Sequence, residues 1–164
     1  MSGIVVWFTG LPASGKSTLA ARVNALLRHP AVLLDSDEIR AILETSSYAT
    51  SDRERFYRVL ARLAATFAAQ GLVVLVAATA HLRAHRDHAR ALAPRFVEVW
   101  VRTPAPTCAQ RDQKGLYARA AAGEIAALPG AGVEYEAPSR PELTADGGHD
   151  ELAAAAIVAR IEGA

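Results

Sequence analysis

Gly10-Leu11-Pro12-Ala13-Ser14-Gly15-Lys16-Ser17 carries the clearest chemistry in this chain, because it fits the pattern G-x-x-x-x-G-K-[ST] at every fixed position. Such a loop presents backbone N–H groups to a polyphosphate. The lysine adds a mobile charge, and the Ser17 hydroxyl is a ligand for Mg²⁺. A second cluster follows at Asp35-Ser36-Asp37. Two carboxylates beside a phosphate site suit phosphoryl transfer to a small hydroxyl acceptor: one orients the hydroxyl and takes its proton, the other holds Mg²⁺ or its waters. Either aspartate also suits the N-cap of a following helix, and the two roles are compatible.

These residues need a scaffold that brings them to one edge. Ile4–Thr9 is a short apolar, β-branched and aromatic run, so it reads as a buried strand, and Leu19–Leu27 has helical spacing. Strands are further expected at 31–34, 72–77 and 96–101, with a weak fifth at 142–144. Helices are expected at 38–44, from a Ser51-Asp52 cap to about Gln70, and at 83–92, 104–111 and 151–161. Gly71 suits the helix stop before the third strand. The alanine-rich stretches 61–69 and 153–156 are helix filler. Alternating strands and helices imply an α/β fold: a five-stranded parallel sheet flanked by helices, of the P-loop nucleotide-binding kind. Ligands then bind at the carboxyl ends of the strands. The stretch 112–138, rich in Gly, Ala and Pro, reads as a lid.

Composition narrows the class. The chain has 164 residues, 51% hydrophobic and 21% charged, with a net charge of +1, which fits one globular domain over 1–164. That balance gives no reason to expect nucleic acid or a membrane as partner. The longest apolar run, 71–80, is too short to span a bilayer. The single cysteine, Cys108, excludes a disulfide within the chain. With no basic leader at the start, a reducing, cytoplasmic setting is the expectation. No Asn-Lys-x-Asp base-reading motif is present, which argues against a GTPase. The third strand runs into Ala78-Thr79-Ala80 rather than an acid, which argues against a typical motor ATPase.

More specific motifs lie beyond the loop. Val6-Trp7-Phe8-Thr9-Gly10-Leu11 opens the chain, and Leu34-Asp35-Ser36-Asp37-Glu38-Ile39-Arg40 follows the first helix. Ser51-Asp52-Arg53 starts the long helix. Gln110-Arg111-Asp112-Gln113-Lys114-Gly115-Leu116-Tyr117, then Ala122-Gly123-Glu124-Ile125 and Tyr135-Glu136-Ala137-Pro138, run through the expected lid. In these segments, over nearly its whole length, the chain resembles the adenylyl-sulfate kinase family, which phosphorylates the ribose 3′-hydroxyl of adenosine 5′-phosphosulfate with ATP.

The resemblance implies roles. Gly10, Leu11, Pro12, Ala13, Ser14, Gly15, Lys16, Ser17 and Thr18 would hold the ATP phosphates, with Arg111 against the adenine or phosphates. Asp37 would be the base or orienter, Ser17 would ligate Mg²⁺, and Asp35 would lie near the ion, through water. Lys16, Asp35 and Asp37 are thus the expected catalytic set. Arg40 and Arg53 match arginines that grip the phosphosulfate, and guanidinium forks suit its oxygens. Tyr48 falls where the family has a phenylalanine that stacks on the acceptor adenine, Lys114 would reach the acceptor from the lid, and Leu128 replaces a second stacking phenylalanine. A homodimer is possible, since family members often pair.

The departures concern the acceptor. Ser36 replaces a glycine, Glu38 an asparagine, and Phe56 an asparagine that contacts the acceptor. Ala78-Thr79-Ala80-His81 replaces Phe-Ile-Ser-Pro. These leave open a kinase of the same fold acting on another nucleotide-linked or small hydroxyl acceptor. A non-catalytic nucleotide-binding module is a further alternative, against which the retained Lys16, Ser17 and acids speak. His81, His85 and His88 alternate with Arg83, Arg86 and Arg90 and read as a basic, solvated helix face, with Arg83 near the acceptor pocket, rather than as a metal site. Cys108, Trp7 and Trp100 read as packing.

Overall fold

A computed structural model of the protein describes residues 3–125 and 128–163. Ala126 and Ala127, within the expected lid, and the chain ends of the expected 1–164 domain lie outside the described residues. Five parallel strands form one sheet in the order β2-β3-β1-β4-β7. They are β1 (Ile4–Thr9), β2 (Val32–Asp35), β3 (Val73–Ala77), β4 (Phe96–Val101) and β7 (Leu143–Ala145). A two-residue pair, β5 (Leu128–Pro129) and β6 (Gly132–Val133), stands apart. The helices are α1 (Lys16–Leu26), α2 (Ser36–Ile42), α3 (Thr50–Ala69), α4 (Arg83–Leu92), α5 (Ala105–Gln110), α6 (Leu116–Ala121) and α7 (Glu151–Glu162).

Strand periodicity builds two cores. Val6 and Phe8 of the central strand pack with Leu19 and Val23 of α1 and Ile157 of α7. Val5 and Trp7 point the other way, onto Phe56, Leu60 and Ala64 of α3. All of these are buried, and each large apolar side chain removed from water contributes about 1.5–3 kcal/mol. A sheet covered on both faces explains why β1, up to Thr9, and β3 are apolar on both sides rather than alternating. Gly71 follows α3 with φ of 89°, a conformation suited to glycine, and turns the chain into β3.

The expected elements recur with small boundary shifts and two corrections. The long helix is not capped by Ser51-Asp52. Its N-cap is Ala49, without a side-chain cap, and Asp52 instead accepts a 2.5 Å hydrogen bond from the Ser47 hydroxyl, which braces the preceding loop. The histidine-arginine segment is a solvated face only in part, at Arg83 and His88. His81 and Arg86 are buried and His85 half-buried, because α4 packs against α3 and residues 135–137 return across it. Arg86 is held by Glu98 at 2.7 Å and donates to the carbonyls of Ala80 and Glu136 at 2.5 Å. Among the described residues, no helix is long and apolar enough to cross a membrane.

Candidate active site

β1 ends at Thr9 and α1 begins at Lys16, so the intervening loop wraps the N-terminus of a helix whose first amides are free for anions. Gly15 adopts φ of 100°, and a Cβ there would lie 2.5 Å from the Gly148 nitrogen. The loop therefore packs backbone to backbone against the turn after β7. Thr103 donates to the Ser14 carbonyl at 2.6 Å and ties the same loop to the end of β4. Ser14 Oγ is buried with no hydrogen-bond partner among the described residues. Lys16 Nζ folds inward onto the carbonyls of Leu11, at 2.8 Å, and Gly10, at 3.1 Å. Burial, and then the nearby Lys114, push its pKa down to about 8. A phosphate arriving in the loop offsets that desolvation with opposite charge.

The aspartates stand one strand away, at the end of β2. Asp35 is the N-cap of α2, its carboxylate accepting from the Asp37 amide at 2.9 Å. Its other oxygen accepts from the Ser17 hydroxyl. Capping and a place beside the phosphate loop thus coexist in one residue. Asp37 is ion-paired with Lys114, which comes from the connection between α5 and α6.

Arginines dominate the opposite end. Arg40 of α2 and Arg53 of α3 are buried, 8% and 7% exposed. Their guanidinium carbons lie 4.7 Å and 5.7 Å from the Tyr48 ring centroid. Tyr48 therefore meets cations on its ring in this structure. Two buried guanidinium groups beside one ring make a cationic pocket suited to an anion, and burial followed by nearby charges, Arg40 among them, acts to lower the Arg53 pKa.

One cavity of about 500 Å³ collects these parts: Lys16, Ser17, Asp37, Arg40, Tyr48, Arg53, Arg111, Lys114 and Leu128 all line it. Leu128, only 2% exposed, contributes from β5. Arg83 does not line the cavity. It is exposed, and its amide and Nε bond Glu136 and Ala137, fixing the return of the 112–138 segment.

Thr79 and Tyr117, expected only as members of longer motifs, also line the cavity, as do Tyr57 and His149, which no motif marked. Tyr57 carried a signal, because it lies one helical turn after Arg53 and so shares its face. Burial drives its pKa upward, and its ring stacks on His85 with centroids 4.7 Å apart. His149 carried none: a turn residue after a three-residue strand shows no pattern.

Known proteins share this fold and much of this sequence. The solved structure of the Mycobacterium tuberculosis APS kinase CysC in complex with AMPPNP and APS superposes with a TM-score of 0.87 at 38% identity, over 99% of this chain and 98% of that one. The adenylyl-sulfate kinase of Shewanella denitrificans is 42% identical over 156 residues, 92% of this chain and 76% of that protein. A probable bifunctional SAT/APS kinase 2 of Sorangium cellulosum is 43% identical over 168 residues, and there the match spans 99% of this chain but only 29% of the relative's length. The adenylylsulphate kinase family model matches residues 2–146, which takes in the phosphate loop, both aspartates, both buried arginines and the lysine-bearing segment, so the chain belongs to the adenylylsulphate kinase family.

Proposed function

We propose that this chain transfers the γ-phosphoryl group of ATP to the 3′-hydroxyl of adenosine 5′-phosphosulfate, giving the 3′-phosphorylated product of sulfate assimilation. The observation that carries this reading is that one cavity is lined both by the phosphate-loop pair Lys16 and Ser17 and by two buried arginines, Arg40 and Arg53. Its ends suit two anionic substrates, one at each side of Asp37.

The residues take the following roles. The loop from Gly10 to Thr18 holds the ATP phosphates by backbone N–H groups, and Lys16 neutralises charge on the transferring group. Arg111 lies toward the donor, and Asp37 accepts the proton of the attacking hydroxyl. The Lys114 ion pair with Asp37 keeps the lid lysine beside that proton transfer. Arg40 and Arg53 fork onto the phosphosulfate, and Tyr48 and Leu128 cover the acceptor base. Ser17 and Asp35 offer facing hydroxyl and carboxylate oxygens, a donor set that fits Mg²⁺, Asp35 through water. Bound there, Mg²⁺ would supply positive charge against the ATP phosphates. Residues 112–138 act as a lid of a single domain and exclude water on closure.

A coupled ADP-release assay tests the reading. Adenosine 5′-phosphosulfate is compared with other nucleotides and small hydroxyl acceptors. The expected result is the highest kcat/KM for the phosphosulfate. A higher value for a nucleotide lacking the sulfate would move the acceptor assignment elsewhere while leaving ATP as donor.

A further inference from the structure

Two buried arginines in this fold are held in opposite ways. Arg86, 1% exposed, is neutralised by Glu98 at 2.7 Å. Arg40, 8% exposed, forms no ion pair with any carboxylate among the described residues. Among the described residues it donates to the Ser47 carbonyl, at 3.3 Å, and its side chain also hydrogen-bonds that of Tyr57. Its guanidinium lies over the Phe56 ring, 3.9 Å from the centroid, with Tyr48 at 4.7 Å. Phe56 is 3% exposed and does not line the cavity, whereas Arg40 does.

A carboxylate in place of that ring would steady the arginine but would also occupy its N–H donors and cancel its charge. An aromatic face attracts the cation through the ring quadrupole and consumes none of the in-plane donors. Aromatic support is therefore the way to order a buried guanidinium while leaving it able to bind an incoming anion.

We propose that Phe56 is a positioning residue for the acceptor: its ring carries the Arg40 guanidinium by the face, so that the group stays charged and its N–H donors beyond those held by Ser47 and Tyr57 stay open to the phosphate or sulfate oxygens of the substrate. This rests on the acceptor site given above. The device favours a substrate with several anionic oxygens over a neutral sugar hydroxyl, because a neutral acceptor leaves the cation uncompensated.

Phe56→Leu, Phe56→Tyr and Phe56→Trp test it. With ATP saturating, Phe56→Leu raises the KM for adenosine 5′-phosphosulfate by about 3- to 30-fold, the range for a cation–π contact from exposed to desolvated. It leaves kcat within about twofold and the ATP KM unchanged, and Phe56→Tyr or Phe56→Trp restores the acceptor KM. A ligand-free readout runs in parallel: the Arg40 Nε–H proton resonance, displaced upfield by the ring in the wild type, returns to its ordinary position in Phe56→Leu. If turnover is normal but Phe56→Leu leaves the acceptor KM unchanged, or shifts the ATP KM equally, the proposal is overturned and the acceptor reading stands. If the wild type does not turn over the phosphosulfate, the acceptor reading fails, and an Arg40 resonance indifferent to Phe56→Leu would overturn the positioning role as well. Loss of folding in Phe56→Leu is recognised by thermal melting, and the comparison then passes to Phe56→Tyr and Phe56→Trp, which must keep both the acceptor KM and the Arg40 shift.

Discussion

The two ends of the cavity are built by different means. The end proposed for the donor is mostly backbone: one contiguous loop, closed by Gly15 against Gly148 and pinned by Thr103, with a single charged side chain inside it. The end proposed for the acceptor is side chain: Arg40 from α2, Arg53 from α3, Tyr48 from the loop between them and Lys114 from beyond β4. A backbone cradle tolerates substitution around it, since every residue offers the same N–H. A side-chain cradle changes with each residue, so specificity can drift there while phosphate binding stays fixed.

The largest expected effect probes the donor end. Lys16→Ala removes the one ammonium inside the loop, and turnover should vanish from the ADP-release assay while the thermal midpoint moves little. Retained activity would break the assignment of this end as the donor site.

Asp37→Asn addresses the junction. It should lower kcat by about 10²- to 10⁴-fold with a much smaller change in ATP KM. An unchanged kcat would take Asp37 out of proton transfer and leave Asp35 as the carboxylate to test.

A pH series separates the ends without mutation. Lys16 has its pKa pushed down to about 8, so the free enzyme holds a charged lysine below that pH and a neutral one above it. ATP phosphates bind the charged form, so the ATP KM should rise above about pH 8, approaching tenfold per pH unit. The acceptor KM should stay flat over the same range, because the arginines keep their charge. Parallel rises in both would mean that Lys16 does not act on the donor alone.

The smallest effect sharpens the acceptor end. Leu128 is 2% exposed, so Leu128→Phe must displace its neighbours, at a cost of about 1–3 kcal/mol in stability measured by denaturant unfolding. Any gain from restored aromatic contact with the acceptor base, about 0.5–1.5 kcal/mol, should appear in acceptor KM and not in ATP KM.

The sheet was legible because β1 and β3 are unbroken apolar runs flanked by helix-forming spacing, and that contrast survives without tertiary knowledge. The start of α3 was less so. Ser51-Asp52 looks like a cap, but Asp52 is drawn off by Ser47, a competition between two local hydrogen bonds. The histidine-arginine stretch misled for another reason. Charge suggests solvent, yet Arg86 and His81 are buried because Glu98 and residues 135–137, far away in sequence, close over them.

What the chain determined by itself is the phosphate loop, the paired aspartates and the alternation that puts both at one sheet edge, since each depends on residues within a few positions of one another. Only the tertiary structure decided that Arg40 rests on Phe56 rather than on an acid, that Tyr57 and His149 reach the cavity, and that Lys114 meets Asp37. Those contacts join segments that share no local period, and packing of α2, α3 and the 112–138 segment over the strand ends sets them.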